Sequence, residues 1–193
     1  MKKSFYSTNE LRGLGLKAFG DNVCISRNVS IYNAEAISIG NHVRVDDFCV
    51  LSGGKGITIG SYIQISPFSI IYGSSGVVLE DYSGLSPHCT IFSESDDFSG
   101  NSMIHPFFPA EFKPGYIKGQ VTLRKYVQVG VGSAVLPGIE LGEGVAIGAH
   151  SLVTKACDPW GIYAGIPAKR IKERSRKLIE LERGFRSQLK AEE

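Results

Sequence analysis

An aspartate pair, Asp96-Asp97, and a histidine, His105, fall in one stretch, Phe92–Gly119, that also holds Pro106, Pro109 and Pro114. A carboxylate can orient an amine and collect a proton released late, but it is a poor base for an alcohol; an imidazole serves either. Asp96, with Asp97 beside it, is therefore the candidate group for orienting an amine, and His105 the alternative base. The competing reading of the aspartates is a Ser/Asp turn that caps the stretch locally. A second cluster runs from Lys169 to Lys177, with six positive side chains against one negative, Glu173. Closely spaced Lys and Arg select phosphates; the plainer reading is a solvated basic helix face. His42, His88 and His150 each follow an aliphatic position by three residues and are expected at outward corners, and Asp46-Asp47 is expected in a turn. No His or Cys spacing suggests a metal site, and Gly53-Gly54-Lys55-Gly56 lacks phosphate-loop spacing.

What positions these residues is a repeat. Aliphatic side chains recur at Ile25, Ile31, Ile39, Val45, Leu51, Ile59, Ile65, Ile71, Leu79, Leu85 and Ile91, and resume at Leu123, Val129, Val135, Leu141, Ile147 and Val153. The step is six residues, except for steps of eight before Ile39, Ile59 and Leu79. A coil of three six-residue faces, with one corner carrying two extra residues, explains both spacings; a β-sandwich would not keep this register. Two residues before several aliphatic positions stand Cys49, Ser69, Ser83, Cys89, Ser133 and Ser151, small groups expected to point inward at a corner. Gly40, Gly60, Gly130, Gly142 and Gly148 follow aliphatic positions where the chain bends. Cys49 and Cys89 fall two coils apart, roughly 9–10 Å, beyond disulfide reach.

The register breaks once, over Phe92–Gly119. A long excursion from so regular a scaffold is usually a binding or catalytic loop, and Phe107, Phe108, Phe112 and Tyr116 argue against a purely solvated one. At the front, Thr8–Arg12 reads as a capped short helix covering an open end of the coil. Beyond Pro167, Ile171, Leu178, Leu181, Phe185 and Leu189 fit a helical stripe closing the other end. The expected organisation is an N-terminal cap over 1–22, an all-β parallel β-helix over 23–167 with the loop at 92–119, and a C-terminal helix over 168–193.

Hydrophobic residues make up 42% and charged residues 21% of 193 positions, with net charge +2. Nothing there argues for nucleic acid, and no apolar run approaches the roughly 20 residues of a membrane span. A cytoplasmic address is the expectation.

The repeat, together with Ile147-Gly148-Ala149-His150-Ser151-Leu152-Val153-Thr154-Lys155 and Tyr163-Ala164-Gly165-Ile166-Pro167-Ala168-Lys169-Arg170-Ile171, resembles the hexapeptide-repeat acyltransferases over about residues 20–172. The resemblance implies a left-handed β-helix, a homotrimer, and acetyl-CoA as co-substrate for a sugar acceptor. It places Ala149, Thr154 and Lys155 along the pantetheine arm, Lys169, Arg170 and Lys172 at the CoA phosphates, and Val131 near the thioester. The backbone around Gly130-Val131-Gly132 would supply oxyanion donors. Sugar O-acetyltransferases of this family usually carry a His just after the strand leading into the loop; here counting past Cys89-Thr90-Ile91-Phe92 reaches Asp96. A frequent Asn one coil earlier reads Ser66, and Gln128 and Val131 stand where bulkier or hydroxylated residues are common. Replacement of the imidazole by a carboxylate favours N-acetylation of a nucleotide-linked amino sugar, as in surface polysaccharide synthesis. Sugar O-acetylation is the enzyme alternative, and a non-catalytic β-helix scaffold the third reading.

Overall fold

The computed structural model describes residues 4–192. Strands of two or three residues alternate with corners of three or four residues, and every third strand stacks on its predecessor in parallel. Three sheets result. The first face stacks Ile37–Ile39, Ile57–Ile59, Val77–Leu79 and Val121–Leu123; the second stacks Val43–Val45, Ile63–Ile65, Gly84–Leu85 and Gln128–Val129; the third stacks Val50–Ser52, Ile70–Tyr72, Thr90–Phe92, Ala134–Val135 and Leu152–Val153. Register puts like on like: Leu51, Ile71, Ile91, Val135 and Val153 form one buried column. The alternation of strand side chains between faces turns these aliphatics inward and leaves the intervening residues outside.

The small residues at the second-to-third corner sit inside, where their hydroxyl and thiol groups find carbonyls of the next coil. Ser69 Oγ donates to Ser86 O at 3.1 Å, Cys89 Sγ to Gly130 O at 3.2 Å and Ser133 Oγ to Gly148 O at 3.0 Å. Ser69 lies between Cys49 and Cys89 in the stack, and all four cysteines are free. Gly60 is excluded from growing by contact rather than by conformation: a Cβ there would lie 2.6 Å from an Asp81 oxygen.

Helix α1 (Thr8–Arg12) carries a capping box, Ser7 accepting from the Glu10 amide while Glu10 accepts from the Ser7 amide, and buries Leu11. The coil starts earlier than the sequence suggests: Ala18–Phe19 already pairs with Ser38–Ile39. At the other end two expectations are corrected. Lys169–Glu173, Ile171 included, is an exposed strand running antiparallel to Gly161–Ala164 rather than the start of a helix. Helix α2 begins only at Lys177, extends to Glu192, and lies along the corner between the first and second faces instead of closing the end.

That corner explains the seat of α2. Its residues take left-handed backbone, and their rings stack from coil to coil: His42 on Tyr62 at 4.6 Å, Tyr62 on Tyr82 at 5.1 Å, Tyr82 on Tyr126 at 5.7 Å. Phe185 meets Tyr62 edge-on at 5.4 Å, and Glu182 bridges Lys125 and Arg186. Arg174, half-buried, donates to the carbonyls of Tyr126, Gly144 and Val145. A parallel ladder, Phe48 on Phe68 on His88, runs along the second-to-third corner with nothing over it among the described residues.

Candidate active site

The loop leaves from the corner between the third and first faces. Glu94–Ser95 pairs antiparallel with Ile117–Lys118 and closes its base. The base is tied to the coil: Ser75 Oγ donates to Glu94 Oε1 at 2.5 Å, and Tyr116 donates to Glu94 Oε2 at 2.9 Å. Burial and that bond push the Tyr116 phenol up to about 12, so it stays a donor.

Asp96 follows directly. It lines a cavity of about 340 Å³ with Phe92, Glu94, Ser95, Phe98, Tyr116 and Leu136. Lys113 Nζ, largely buried, lies 2.8 Å from Asp96 Oδ1 as a charge contact without hydrogen-bond alignment. The same ammonium sits 4.3 Å from the centre of the Tyr116 ring. A carboxylate held beside a cation at the edge of an apolar cavity is well placed to receive and orient an amine.

The neighbouring aspartate behaves differently. Asp97 accepts from the Ser99 amide and hydroxyl, each at 2.8 Å, and from the Asn101 amide at 3.2 Å. These bonds hold its carboxyl below the usual range. It caps a turn, which is the local reading of the pair, and is not among the residues lining the Asp96 cavity. His105 is exposed at the loop's far end, its ring tilted against Phe107 at 5.1 Å and its Nδ1 accepting from the Phe107 amide at 3.3 Å, and likewise does not line that cavity.

The residues expected at the cofactor gather at the C-terminal end of the coil, on two corners. Val131 and Ala149 stand on the second-to-third corner, where a Cβ on Gly130 would lie 2.7 Å from the Ala149 amide. Lys169, paired with Ala164, continues that corner upward, since Ala164 packs over Gly148. Arg170 and Lys172 lie further along the same exposed strand, Arg170 paired with Glu173 at 2.5 Å. Thr154 and Lys155 stand on the other corner, past the third face. Register makes one outward column of Tyr72, Phe92, Leu136 and Thr154, so Thr154 is two coils above Phe92 at the rim of the Asp96 cavity. Gly130 and Gly132 amides are engaged by Ile147 and Pro87 carbonyls at 2.8 and 3.0 Å, so these two cannot serve as oxyanion donors without breaking coil bonds.

Sequence reasoning passed over Ser86. It stands on the second-to-third corner in the outward column of Asp46 and Ser66, and its Oγ accepts from Gln128 Nε2 at 3.3 Å. Gln128 reaches it over Gly84, which stands between Gln64 and Gln128 on the second face and has no side chain to block it. The available signal was the repeat itself, which places Ser86 twenty residues after Ser66, a position the resemblance had singled out.

No family-level sequence model matches the chain. It is 46% identical over 178 residues, 92% of each chain, to a dTDP-4-amino-4,6-dideoxy-D-glucose acyltransferase of Escherichia coli. The fold superposes with TM-score 0.94 and 43% identity on AntD, an N-acyltransferase from Bacillus cereus, covering 97% of this chain and 100% of AntD, in a complex with dTDP-4-amino-4,6-dideoxyglucose and coenzyme A. AntD is also known with dTDP and 3-hydroxybutyryl-CoA. Its variants include substitutions of one serine and of an aspartate ten positions later. A maltose O-acetyltransferase from Clostridium difficile, 20% identical at TM-score 0.56, shares the fold. Its relatives and its three-sheet coil agree: the chain belongs to the left-handed β-helix, hexapeptide-repeat acyltransferases, and is an acyl-CoA-dependent acyltransferase.

Proposed function

We propose that this protein transfers the acyl group of an acyl-CoA to the amine of a nucleotide-linked amino sugar, with a dTDP-linked 4-amino-4,6-dideoxy sugar as the best-supported acceptor. Asp96 at the loop base, a carboxylate where O-acetylating relatives of the resemblance carry an imidazole, carries this reading. The likeness to an E. coli and a B. cereus enzyme of that acceptor supports it. Among all Ser and Asp residues in the chain, Ser86 and Asp96 form the one serine–aspartate pair ten apart in that order, the spacing of the substituted pair in AntD.

In this reading the amine attacks the thioester carbonyl, forming the C–N bond. Ser86, whose oxygen already accepts from Gln128, keeps its O–H to donate to the developing oxyanion. Collapse breaks the C–S bond; the proton leaving nitrogen passes to Asp96 and ends on the CoA thiolate. Ala149, Thr154 and Lys155 would flank the pantetheine arm, with Val131 near the thioester and Lys169, Arg170 and Lys172 at the phosphates. His105 is the reserve base, reaching a site by folding back or across a subunit boundary, and Asp97 keeps Asp96's turn in place.

A homotrimer fits the same geometry. Ser86 stands at the corner entering the third face and Asp96 beyond the corner leaving it, so the strand Thr90–Phe92 separates them within one protomer. Two residues acting on one carbonyl must then come from neighbouring copies. No helix among the described residues is long and apolar enough to cross a membrane; we place the enzyme in the cytoplasm, where nucleotide sugars for surface polysaccharides are made.

The test is thiol release from acyl-CoA with amino and hydroxy forms of a dTDP-sugar. Turnover only with hydroxyl acceptors would overturn the amine assignment. Asp96→Asn should lower kcat by about 10²- to 10⁴-fold, the range for general-base removal, while CoA binding by calorimetry is unchanged.

A further inference from the structure

We infer that a second small-molecule site lies between α2 and the ladder of Tyr62, Tyr82 and Tyr126, that it takes an aromatic monocarboxylate, and that its occupant slows turnover through Gln128. Binding is independent of the acyl-transfer reading above; the effect on turnover rests on the role given there to Ser86. The corner between the first and second faces, with α2 along it, encloses a cavity of about 380 Å³. That volume falls within the roughly 300–1,000 Å³ of small-molecule sites. None of its lining residues belongs to the loop or to the Asp96 cavity.

Its polar groups suit an anion. Arg174 lines it, with Nη1 engaged by the carbonyls of Tyr126, Gly144 and Val145. Its Nε and Nη2 make no hydrogen bond, and no carboxylate pairs with it, among the described residues. Burial accordingly lowers the guanidinium pKa with no anion to offset it. Tyr82 lines the same cavity. Its hydroxyl is buried without an aligned hydrogen bond, with the Arg186 guanidinium near it, and burial raises its pKa, so the O–H stays a donor. The carboxylate in the wall, Glu182, is already held by Lys125 at 2.7 Å and Arg186 at 2.6 Å. Three cations against one carboxylate leave the cavity positive.

The rest of the wall decides which anion. Leu178, Leu181 and Phe185 of α2 line it together with the tyrosine rings. A doubly charged phosphate would lose its hydration against these apolar side chains. A singly charged carboxylate suits the planar Arg174 fork, and an aromatic body suits the tyrosine rings. Leu181, 58% exposed, keeps the rim open to solvent. Gln128 links the cavity to the reaction, lining it while its Nε2 donates to Ser86 Oγ at 3.3 Å. A carboxylate is a stronger acceptor than a neutral hydroxyl. An anion in the cavity therefore draws the amide away from Ser86, whose O–H loses its orientation toward the oxyanion. Loss of one ordinary hydrogen bond corresponds to roughly two- to tenfold in rate.

The experiment titrates the full chain, without substrates, with phenylacetate by calorimetry, and compares phenylacetamide and acetate. Phenylacetate is expected to bind about tenfold tighter than either, and Tyr82→Phe and Arg174→Gln each to weaken it roughly tenfold. Tyr82→Phe keeps the ladder ring and removes only an unpartnered oxygen, so its fold and basal turnover should match the unmodified protein. With acyl-CoA and amino-sugar acceptor both saturating, phenylacetate should lower kcat roughly two- to tenfold. In Tyr82→Phe the concentration required should rise in step with the weakened binding. The inference is overturned by no saturable binding, by equal binding of phenylacetamide, or by affinity unchanged in Tyr82→Phe and folded Arg174→Gln. Binding that leaves kcat untouched overturns it as well. Absence of turnover with every acceptor would instead count against acyl transfer, while the binding comparison still decides whether the site exists.

Discussion

Asp96 and Asp97 are adjacent, yet their surroundings give them different work. The Asp97 oxygens are held by amides and a hydroxyl of its own turn, whereas Asp96 faces a cavity and a single movable ammonium. The cysteines show the same dependence on surroundings. Burial pushes the thiols of Cys49, Cys89 and Cys157 up to about 11, while Cys24 is exposed. A thiol that high is almost wholly protonated at neutral pH and cannot serve as an acyl-accepting nucleophile. The three buried cysteines are therefore poor candidates for an acyl-cysteine, in keeping with the direct transfer proposed above. Iodoacetamide at pH 8 should modify Cys24 first, read by peptide mass, and leave kcat intact. Loss of activity tracking modification of Cys49, Cys89 or Cys157 would contradict direct transfer.

The elements added to the coil, α1 at its front and α2 along one corner, have chemistry that can be probed separately. In α1 the Arg27 guanidinium, with the amide and hydroxyl of Ser7, draws the Glu10 carboxyl from its ordinary 4.5 down to about 2. The folded-state value is depressed, so the stabilisation is present above about pH 4.5 and is lost as pH falls toward 2. Amide exchange of Leu11 should accelerate across that window, and Glu10→Gln should abolish the pH dependence; a pH-independent rate in the unmodified protein would show that the cap does not hold α1. The inward aliphatics and the small inner-corner residues were legible because they follow a six-residue register that survives without knowledge of the partner coil, and the loop because it breaks that register. The seat of α2 was not. Tyr82 and Tyr126 are neighbours in the ladder but stand on either side of the loop in sequence, and apolar spacing in α2 cannot tell a corner from an open end. Lys169–Glu173 misled for a related reason: its basic residues suit either a helix face or an exposed strand, and pairing with Gly161–Ala164 decides between them.

The whole molecule presents the candidate groups on two corners with a sheet between them. Ser86 and the bare ladder Phe48, Phe68 and His88 mark one corner; Asp96 and the exposed Phe98 and Phe107 mark the loop beyond the other. In a closed ring of copies, heterologous contacts set the first corner of one protomer against the loop of the next. Each site would then draw Ser86 from one copy and Asp96 from its neighbour. Subunit mixing separates this arrangement from one in which both come from a single chain. Ser86→Ala and Asp96→Asn chains, each inactive alone, are co-expressed with different tags and purified as mixed oligomers. A shared site is intact only where an Asp96→Asn chain supplies serine and a Ser86→Ala chain supplies aspartate; every mixed trimer holds one such site of three, so the purified mixed oligomers should show about a third of native activity. A site within one chain leaves every mixed oligomer inactive, because each chain then lacks one of its two groups. Recovery near a third, lost when the oligomers are re-sorted into single-tag species, would locate the chemistry between copies and make assembly a condition of turnover.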